Sequence, residues 1–502
     1  MNVPKEVKFV ISELKNKGFD AYIVGGCVRD FLRGAEPQDW DIATNAKPTE
    51  IGKIFLKSYA DNKFGTVTVL TGSKNPKLKE IEITPYRVES KYTDKRHPDE
   101  VKWAKTIEED LARRDFTVNA MALEISNPCL ASRQVKPQTS NLIDPFRGQK
   151  DLKNRIIRAV GNPEDRFSED ALRMMRAVRF AATLEQKAVP GRWQIEERTA
   201  KFIKKNAKLL QVISKERIRD ELIQIIMSEE ARQGIDLLRE LGLLKYIIPE
   251  LEEGYGVSQN KHHIYEVYDH NLRCLDYAAK KNYNKYVRIA ALFHDIAKPR
   301  CKRGEGPDAT FYGHEIVGAK ETCQILSRLK FPKKDIEKIA KLVRYHLFYY
   351  NVGEVSEASV RRLIRQVGSE NMEELLEVRY CDRIGSGCPK AEPYKLRHLK
   401  YLIEKVSRDP LSVKMLKVNG DDVMKILNIS AGPKIGQILD VLLGQVLENP
   451  EKNKKEILIG EIKKVGKLAE NELSSLAQKA REERERLKMK KDEMTKEKYW
   501  VS

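Results

Sequence analysis

The chain has 502 residues, with 93 Lys and Arg against 74 Asp and Glu, so it has room for several domains and a formal charge of +19. That surplus favours a polyanionic partner, nucleic acid ahead of a membrane surface, and argues against acidic-tail and disordered classes. Seven scattered cysteines, odd in number and never spaced Cys-x-x-Cys, argue against a disulfide framework or zinc ribbon; with no membrane-length apolar run or signal-peptide core, they lead us to expect a soluble, cytoplasmic protein.

In chain order, "MNVPKEVKFVISELKNKGFD" opens at helical spacing, and short apolar or β-branched runs follow ("AYIVGG", "GTVTVL", "KEIEITPYR") with Gly, Pro and Asp between them. Residues 1–150 therefore read as a small mixed α/β domain. Beyond about 150 the β-like alternation gives way to long helical periodicity, and the rest is expected to be nearly all helix. Turn-rich stretches near 250 and 390 divide it into 151–250, 251–390 and a following helical segment, 391–464. Residues 465–502 are densely and mixedly charged, an exposed helix or a partly disordered tail.

The first chemistry lies in "IVGGCVRD" and "DWDIAT". In a strand, Asp39 and Asp41 would point to one side while Trp40 faces the core, and two converging carboxylates suit magnesium with substrate phosphates. The Gly25-Gly26 turn bares N–H groups for phosphate, with Arg29 as a fixed cation beside it; each element alone also reads as a surface turn and solvated acids. Glu82, between isoleucines in "EIEI", is expected as a buried-side third carboxylate or a structural salt bridge. Arg113, Arg114 and Asp115, packed against an apolar run, read as a phosphate site or as a plain ion-pair cluster. In "RFSEDALRMMRAVRF", Asp170, Arg173, Arg176 and Arg179 recur every three residues, neighbours on a helix. An Asp170–Arg173 pair would accept an exocyclic amino group and donate to a ring nitrogen, the pattern of cytosine and adenine but not uracil or guanine. Each mismatch would leave buried groups unpaired at about 1–3 kcal/mol apiece.

Six segments in order, "GGCVRD", "DWDIATNAKP", "RRDFTVNAMA", "LIDPFRGQKDL", "EDALRMMRAVRF" and "ISKERIRDEL", resemble the class II tRNA nucleotidyltransferases, which share a head with bacterial poly(A) polymerases. The resemblance implies an α+β fold: a polymerase-beta-like head with a mixed sheet, then an all-helical neck, an HD-type body and a helical tail in contact with tRNA. It implies addition of C, C and A to tRNA from CTP and ATP by two-metal attack of the 3′ hydroxyl on the α-phosphate. By it, Asp39 and Asp41 bind magnesium; Gly26, Arg29 and one of Arg113 and Arg114, with Arg114 favoured, contact the nucleotide; and Asp170, Arg173, Arg176 and Arg179 read the base and hold the triphosphate. The inserted-looking "SNPCLASRQVKPQTS" and the long "EQKAVPGRWQIEE" depart from the family, while "ESKYTDKRHPDEVKW" resembles its loop for changing from C to A addition. Poly(A), A-only and CC-only enzymes share the head motifs.

A second set, His270, His294, Asp295, His314, His346 and Asp382, lies on successive helical segments and can converge on one or two transition metals to activate water for phosphoester hydrolysis. It resembles the HD phosphohydrolase domain, either as a working site or as a structural body; His263 precedes it. A chain acting chiefly as an HD phosphohydrolase with an RNA-targeting head is the reading from another class.

Overall fold

The computed structural model describes residues 3–61, 65–90, 100–125, 140–184, 191–260, 264–407 and 413–501. The chain forms two compact units: Met1–Leu347 with Glu374–Pro389, and Phe348–Glu373 with Lys390–Ser502.

The first unit begins with α1 (Lys5–Asn16), whose Val7, Val10, Ile11 and Leu14 recur at i, i+3, i+4 and i+7 and are buried. They share a core with Ile23, Ile42, Ile81 and Ile83 from a mixed sheet. The head strands are β1 (Ala21–Val24), β2 (Asp41–Thr44), β3 (Ser58–Asp61), β4 (Thr66–Leu70), β5 (Glu80–Pro85), β6 (Arg87–Ser90), β7 (Glu100–Trp103), β8 (Ala122–Ile125) and β9 (Ser140–Ile143). Among the described residues seven of them form one sheet in the order β3-β4-β5-β2-β1-β8-β9, while β6 and β7 pair separately. Only β2 and β5 run parallel within the large sheet, in a register that sets Asp41 opposite Glu82. The period-2 pattern buries Ile81 and Ile83 and turns Glu82 to the other face, so Glu82 is exposed, not the buried-side acid expected of it.

Helices α2 (Gly26–Leu32), α3 (Pro48–Ile54) and α4 (Ile107–Ala112) complete the head; α5 (Gly148–Asn154), α6 (Pro163–Glu169), α7 (Leu172–Thr183), α8 (Glu197–Asn206), α9 (Lys215–Met227), α10 (Ala231–Glu240), α11 (Leu244–Ile247) and α12 (Pro249–Glu252) follow. The expected all-helical stretch is interrupted by a parallel pair, Ile156–Ile157 with Gln194–Ile195. Strands of two residues are too short for any periodicity to register. Helices α13 (Val267–Lys280), α14 (Lys285–Phe293), α15 (Lys298–Cys301), α16 (His314–Arg328) and α17 (Lys333–Tyr345) complete the unit, joined by most of α19 (Met372–Gly385).

The second unit holds α18 (Glu357–Val367), α20 (Tyr394–Ser407), α21 (Gly420–Leu427), α22 (Pro433–Glu448), α23 (Lys455–Val465) and α24 (Glu470–Tyr499). The charged terminus is thus a helix, anchored at its start by buried Leu473 and Ala477 in a core with Leu442, Leu458 and Ile462. Among the described residues no helix is long and apolar enough to cross a membrane.

Candidate active site

The glycine turn joins β1 to α2. Gly25 has φ +80°, a conformation that favours glycine, and a Cβ there would lie 2.7 Å from Nη1 of Arg114 and 3.7 Å from Oδ2 of Asp41. The missing side chain lets the Arg114 guanidinium and the Asp41 carboxylate both close in on the turn. Both arginines donate to Asp110, Arg113 Nε at 2.9 Å and Arg114 Nη2 at 3.3 Å, but it is Arg114 that also extends Nη1 over Gly25, which favours Arg114 of the two. Asp39 is exposed in the bend ahead of β2, and Trp40 between the acids is buried in the head core. Burial first and the Asp39 and Glu82 charges after it, opposed by Arg114, push the Asp41 carboxyl up to about 6. A buried carboxylate with two further acids beside it is a donor set suited to a divalent cation.

Arg29 lies beside Gly26 but is held within the protein: Nη1 donates to Asn119 at 2.6 Å, and Nε and Nη2 grip Asp30 at 2.9 and 2.8 Å. Its guanidinium also lies 5.3 Å from the centre of the Phe180 ring, which Arg176 and Arg179 approach to 5.3 and 4.3 Å. Phe180 is therefore the surface against which three cations are stacked. Sequence reading gave it no role.

Helix α7 differs from its expected form at its start. Asp170 precedes the helix in extended conformation, so it shares no helical face with Arg173. Its Oδ1 accepts from the Leu172 N–H at 3.0 Å, and its two oxygens receive Arg217 of α9 at 3.3 and 2.7 Å. Asp followed by helix is an Asx-turn signal that was available in the sequence. Arg173 pairs with Glu169 at 2.6 Å and donates to the Arg113 carbonyl at 3.2 Å, tying α7 to the head. Arg176 clasps Asp115 at 2.8 Å, and Arg179 reaches Glu221 at 3.2 Å and Gln224 at 3.1 Å. Burial would raise the Asp115 carboxyl; Arg176 and the Asn119 amide outweigh it and bring it down to about 2. Arg217 and Glu221 were not singled out, and Asp115, grouped in sequence with Arg113 and Arg114, pairs with Arg176 instead. Most of the loop associated with the change from C to A addition lies outside the described residues, as do "SNPCLASRQVKPQTS" in all but its last residue, the start of "EQKAVPGRWQIEE", and His263.

The second set converges as expected. Asp295 divides its carboxylate between two pairs of imidazoles: Oδ2 lies 3.2 Å from Nε2 of both His270 and His294, and Oδ1 lies 3.2 and 3.7 Å from Nε2 of His314 and His346. Asp382 Oδ1 stands 3.5 Å from His270, and all six residues are buried. Nδ1 of His294, His314 and His346 each faces the carbonyl three residues back, at 2.8, 2.7 and 2.7 Å. A carbonyl only accepts, so each Nδ1 carries a proton and Nε2 is the ring atom turned towards the carboxylates. Burial, with His294 and His314 beside it, pushes the His346 imidazole down to about 3, neutral at physiological pH. Lys298 already sets its ammonium 2.6 Å from Asp295 Oδ2, and the imidazoles and carboxylates gathered around it are a donor set that suits a metal cation. The cluster opens on a cavity of about 700 Å³ whose walls include Lys298, Arg379, Arg383 and Tyr312.

Residues 21–158 match the Poly A polymerase head domain, 193–254 the probable RNA and SrmB-binding site of polymerase A, and 267–384 the HD domain. The CCA-adding enzyme of Ligilactobacillus salivarius is 33% identical over 473 residues, 92% of this chain and 98% of that protein. An A-adding tRNA nucleotidyltransferase of Deinococcus radiodurans is 33% identical over 435 residues, 84% of this chain and 90% of that protein. The crystal structure of the Bacillus stearothermophilus CCA-adding enzyme in complex with CTP is 29% identical, covering 92% of this chain and 98% of that one at a TM-score of 0.55. With relatives a third identical along most of their length and the head domain matched in its place, the chain belongs to the tRNA nucleotidyltransferases with a poly(A) polymerase head, the family of the CCA-adding enzymes.

Proposed function

We propose that the protein maintains tRNA 3′ ends, adding C, C and A from CTP and ATP as the terminal 3′ hydroxyl attacks the nucleotide α-phosphate and pyrophosphate leaves. The observation that carries the reading is the approach of Asp41 and Arg114 to the Gly25 turn, with Asp39 and Glu82 beside Asp41. Enzymes of this family require a divalent cation, here magnesium, and Asp39 and Asp41 would hold it, with Glu82 as the third carboxylate. When bound, the metal supplies charge stabilisation of the attacking and leaving oxygens. Asp41, with its carboxyl near 6, is mostly ionised above pH 7 and so ready to bind. Arg114 meets the triphosphate at the turn, while Arg29, fixed by Asn119 and Asp30, positions Gly26. Asp170 and Arg173 read the base, Asp170 being oriented by Arg217. Arg176 and Arg179, held by Asp115 and Glu221, set the pitch of α7 behind them. The working parts are a head (1–150), a neck with the reading helix (151–250), an HD-like body (251–390), a tail (391–464) and a charged extension (465–502). The three domain matches support the first three of these divisions. Scattered free thiols support a cytoplasmic location.

The test is incorporation onto tRNA lacking its 3′ end, or ending in C or CC, with each nucleotide singly and together. Three additions ending at CCA are expected; A added to the CC-ended substrate alone would make this an A-adding enzyme, and a long A tract a poly(A) polymerase.

A second reading is favoured by the inward Nε2 atoms around Asp295: His270, His294, Asp295, His314, His346 and Asp382 hold a divalent transition metal and hydrolyse a phosphate ester in the adjoining cavity. Replacing His294 and Asp295 together by alanine is expected to abolish metal-stimulated hydrolysis of a 2′,3′-cyclic nucleotide and to leave CTP incorporation within about twofold of the parent. Hydrolysis that survives in the purified variant would overturn the assignment.

A further inference from the structure

Helix α8 buries Thr199 and Ile203, with Ala207 and Leu210 continuing the same face into the 3₁₀ turn Ala207–Val212. The opposite face carries Lys201, Lys204, Lys205 and Lys208, at i, i+3, i+4 and i+7, all exposed. Spacing alone reads equally as a hold on a nucleic-acid backbone or as a solvated stripe. The fold changes its meaning by bringing α11 against the turn, so that Lys245 joins Lys204, Lys205 and Lys208 around a cleft of about 310 Å³, with Arg239 at its wall.

The lining is unbalanced in charge. Glu240 is the one acid among the lining residues, and Lys205 is paired with Glu164 of α6. Arg239 lies over the Tyr255 ring at 4.0 Å and Lys245 beside the Tyr246 ring at 5.2 Å, contacts that leave their charges in place. Among the described residues no acid pairs with Lys204, Lys208 or Lys245. Lysines at the carboxyl end of α8 offset its dipole, but this does not account for Lys245 on a separate helix. Like charges gathered in one concavity repel, and a polyanion relieves that repulsion. The donors are long, exposed ammonium groups rather than a buried, rigid fork, so they suit a ligand that presents several phosphates in a row.

We propose that this cleft is a phosphate clamp for the RNA backbone, separate from the nucleotide site and indifferent to base identity. The inference rests on the reading of tRNA as the substrate. The cleft lies inside residues 193–254, whose family match is described as a probable RNA-binding site without assigning it to particular side chains.

The test compares three full-length proteins: the parent, a variant carrying Lys204→Gln, Lys208→Gln and Lys245→Gln, and a charge-matched control carrying Lys5→Gln, Lys17→Gln and Lys53→Gln. Binding of tRNA lacking CCA is measured by anisotropy across salt concentration, and incorporation is measured at varied tRNA and varied CTP. The cleft variant is expected to lower the slope of log affinity against log salt by about 2–3, while the control leaves it near the parent's. Its KM for tRNA should rise on the order of tenfold, with kcat at saturating tRNA and KM for CTP within about twofold of the parent. The same three positions changed to arginine should restore the slope. A cleft variant that behaves like the control overturns the clamp, and a raised KM for CTP would place these lysines on the free nucleotide instead. A parent that binds tRNA without extending it refutes the transferase reading and leaves the clamp standing on its slope.

Discussion

Asp41→Asn is expected to reduce CTP and ATP incorporation by about a thousandfold or more, because the substitution keeps the side chain's shape and removes a carboxylate that the cation needs. The same variant should be more heat-stable than the parent when metal is withheld. Burial and the charges of Asp39 and Glu82 raise the carboxyl from its ordinary value to about 6. Between those two pH values the folded protein binds a proton that the unfolded chain has released, so the group costs stability as pH rises through 6. At pH 7.5 the metal-free parent carries that cost and the asparagine variant does not; the gap in Tm should close as pH falls from about 6 towards 4. Magnesium should raise the Tm of the parent and not of the variant. An asparagine variant with parental activity would remove Asp41 from the site, and one that is less stable at pH 7.5 would contradict the crowded-carboxylate account.

The second expectation concerns choice of base. The Asp170 carboxylate has about four lone-pair positions, of which Arg217 takes two and the Leu172 N–H a third. One remains for an exocyclic amino group. Asp170→Asn keeps an acceptor for Arg217 and presents an N–H₂ group, which suits the O4 carbonyl of uracil. It is expected to lower kcat/KM for CTP by about 10- to 100-fold and to narrow or invert the preference for CTP over UTP. Arg173→Ala should lower kcat/KM for CTP and ATP by a similar factor without creating a preference for UTP, since it removes a donor and offers none elsewhere. Equal losses for all four nucleotides in both variants would make these residues supports of α7 and not readers.

Sequence reading reached the local parts of this site and not its long-range pairs. The glycine turn, the acids beside it and the alternation of "EIEI" follow rules of period and turn chemistry that act over a few residues. Arg217 is 47 positions from Asp170 and Arg176 is 61 from Asp115, and no periodicity spans such distances. Glu82 was misjudged because isoleucines on either side of an acid bury themselves and expel it. The histidines were legible because their chemistry is unusual. That Asp295 would divide its two oxygens between them was not, since it depends on how four helices cross. The lysine stripe was visible, and the partner it acquires from α11 was not.

Before any nucleotide arrives, Arg29, Arg173, Arg176 and Arg179 already hold Asp30, Glu169, Asp115 and Glu221. These cations are therefore braced by the protein itself: an arriving nucleotide would meet a frame already ordered, at little further cost in conformational freedom.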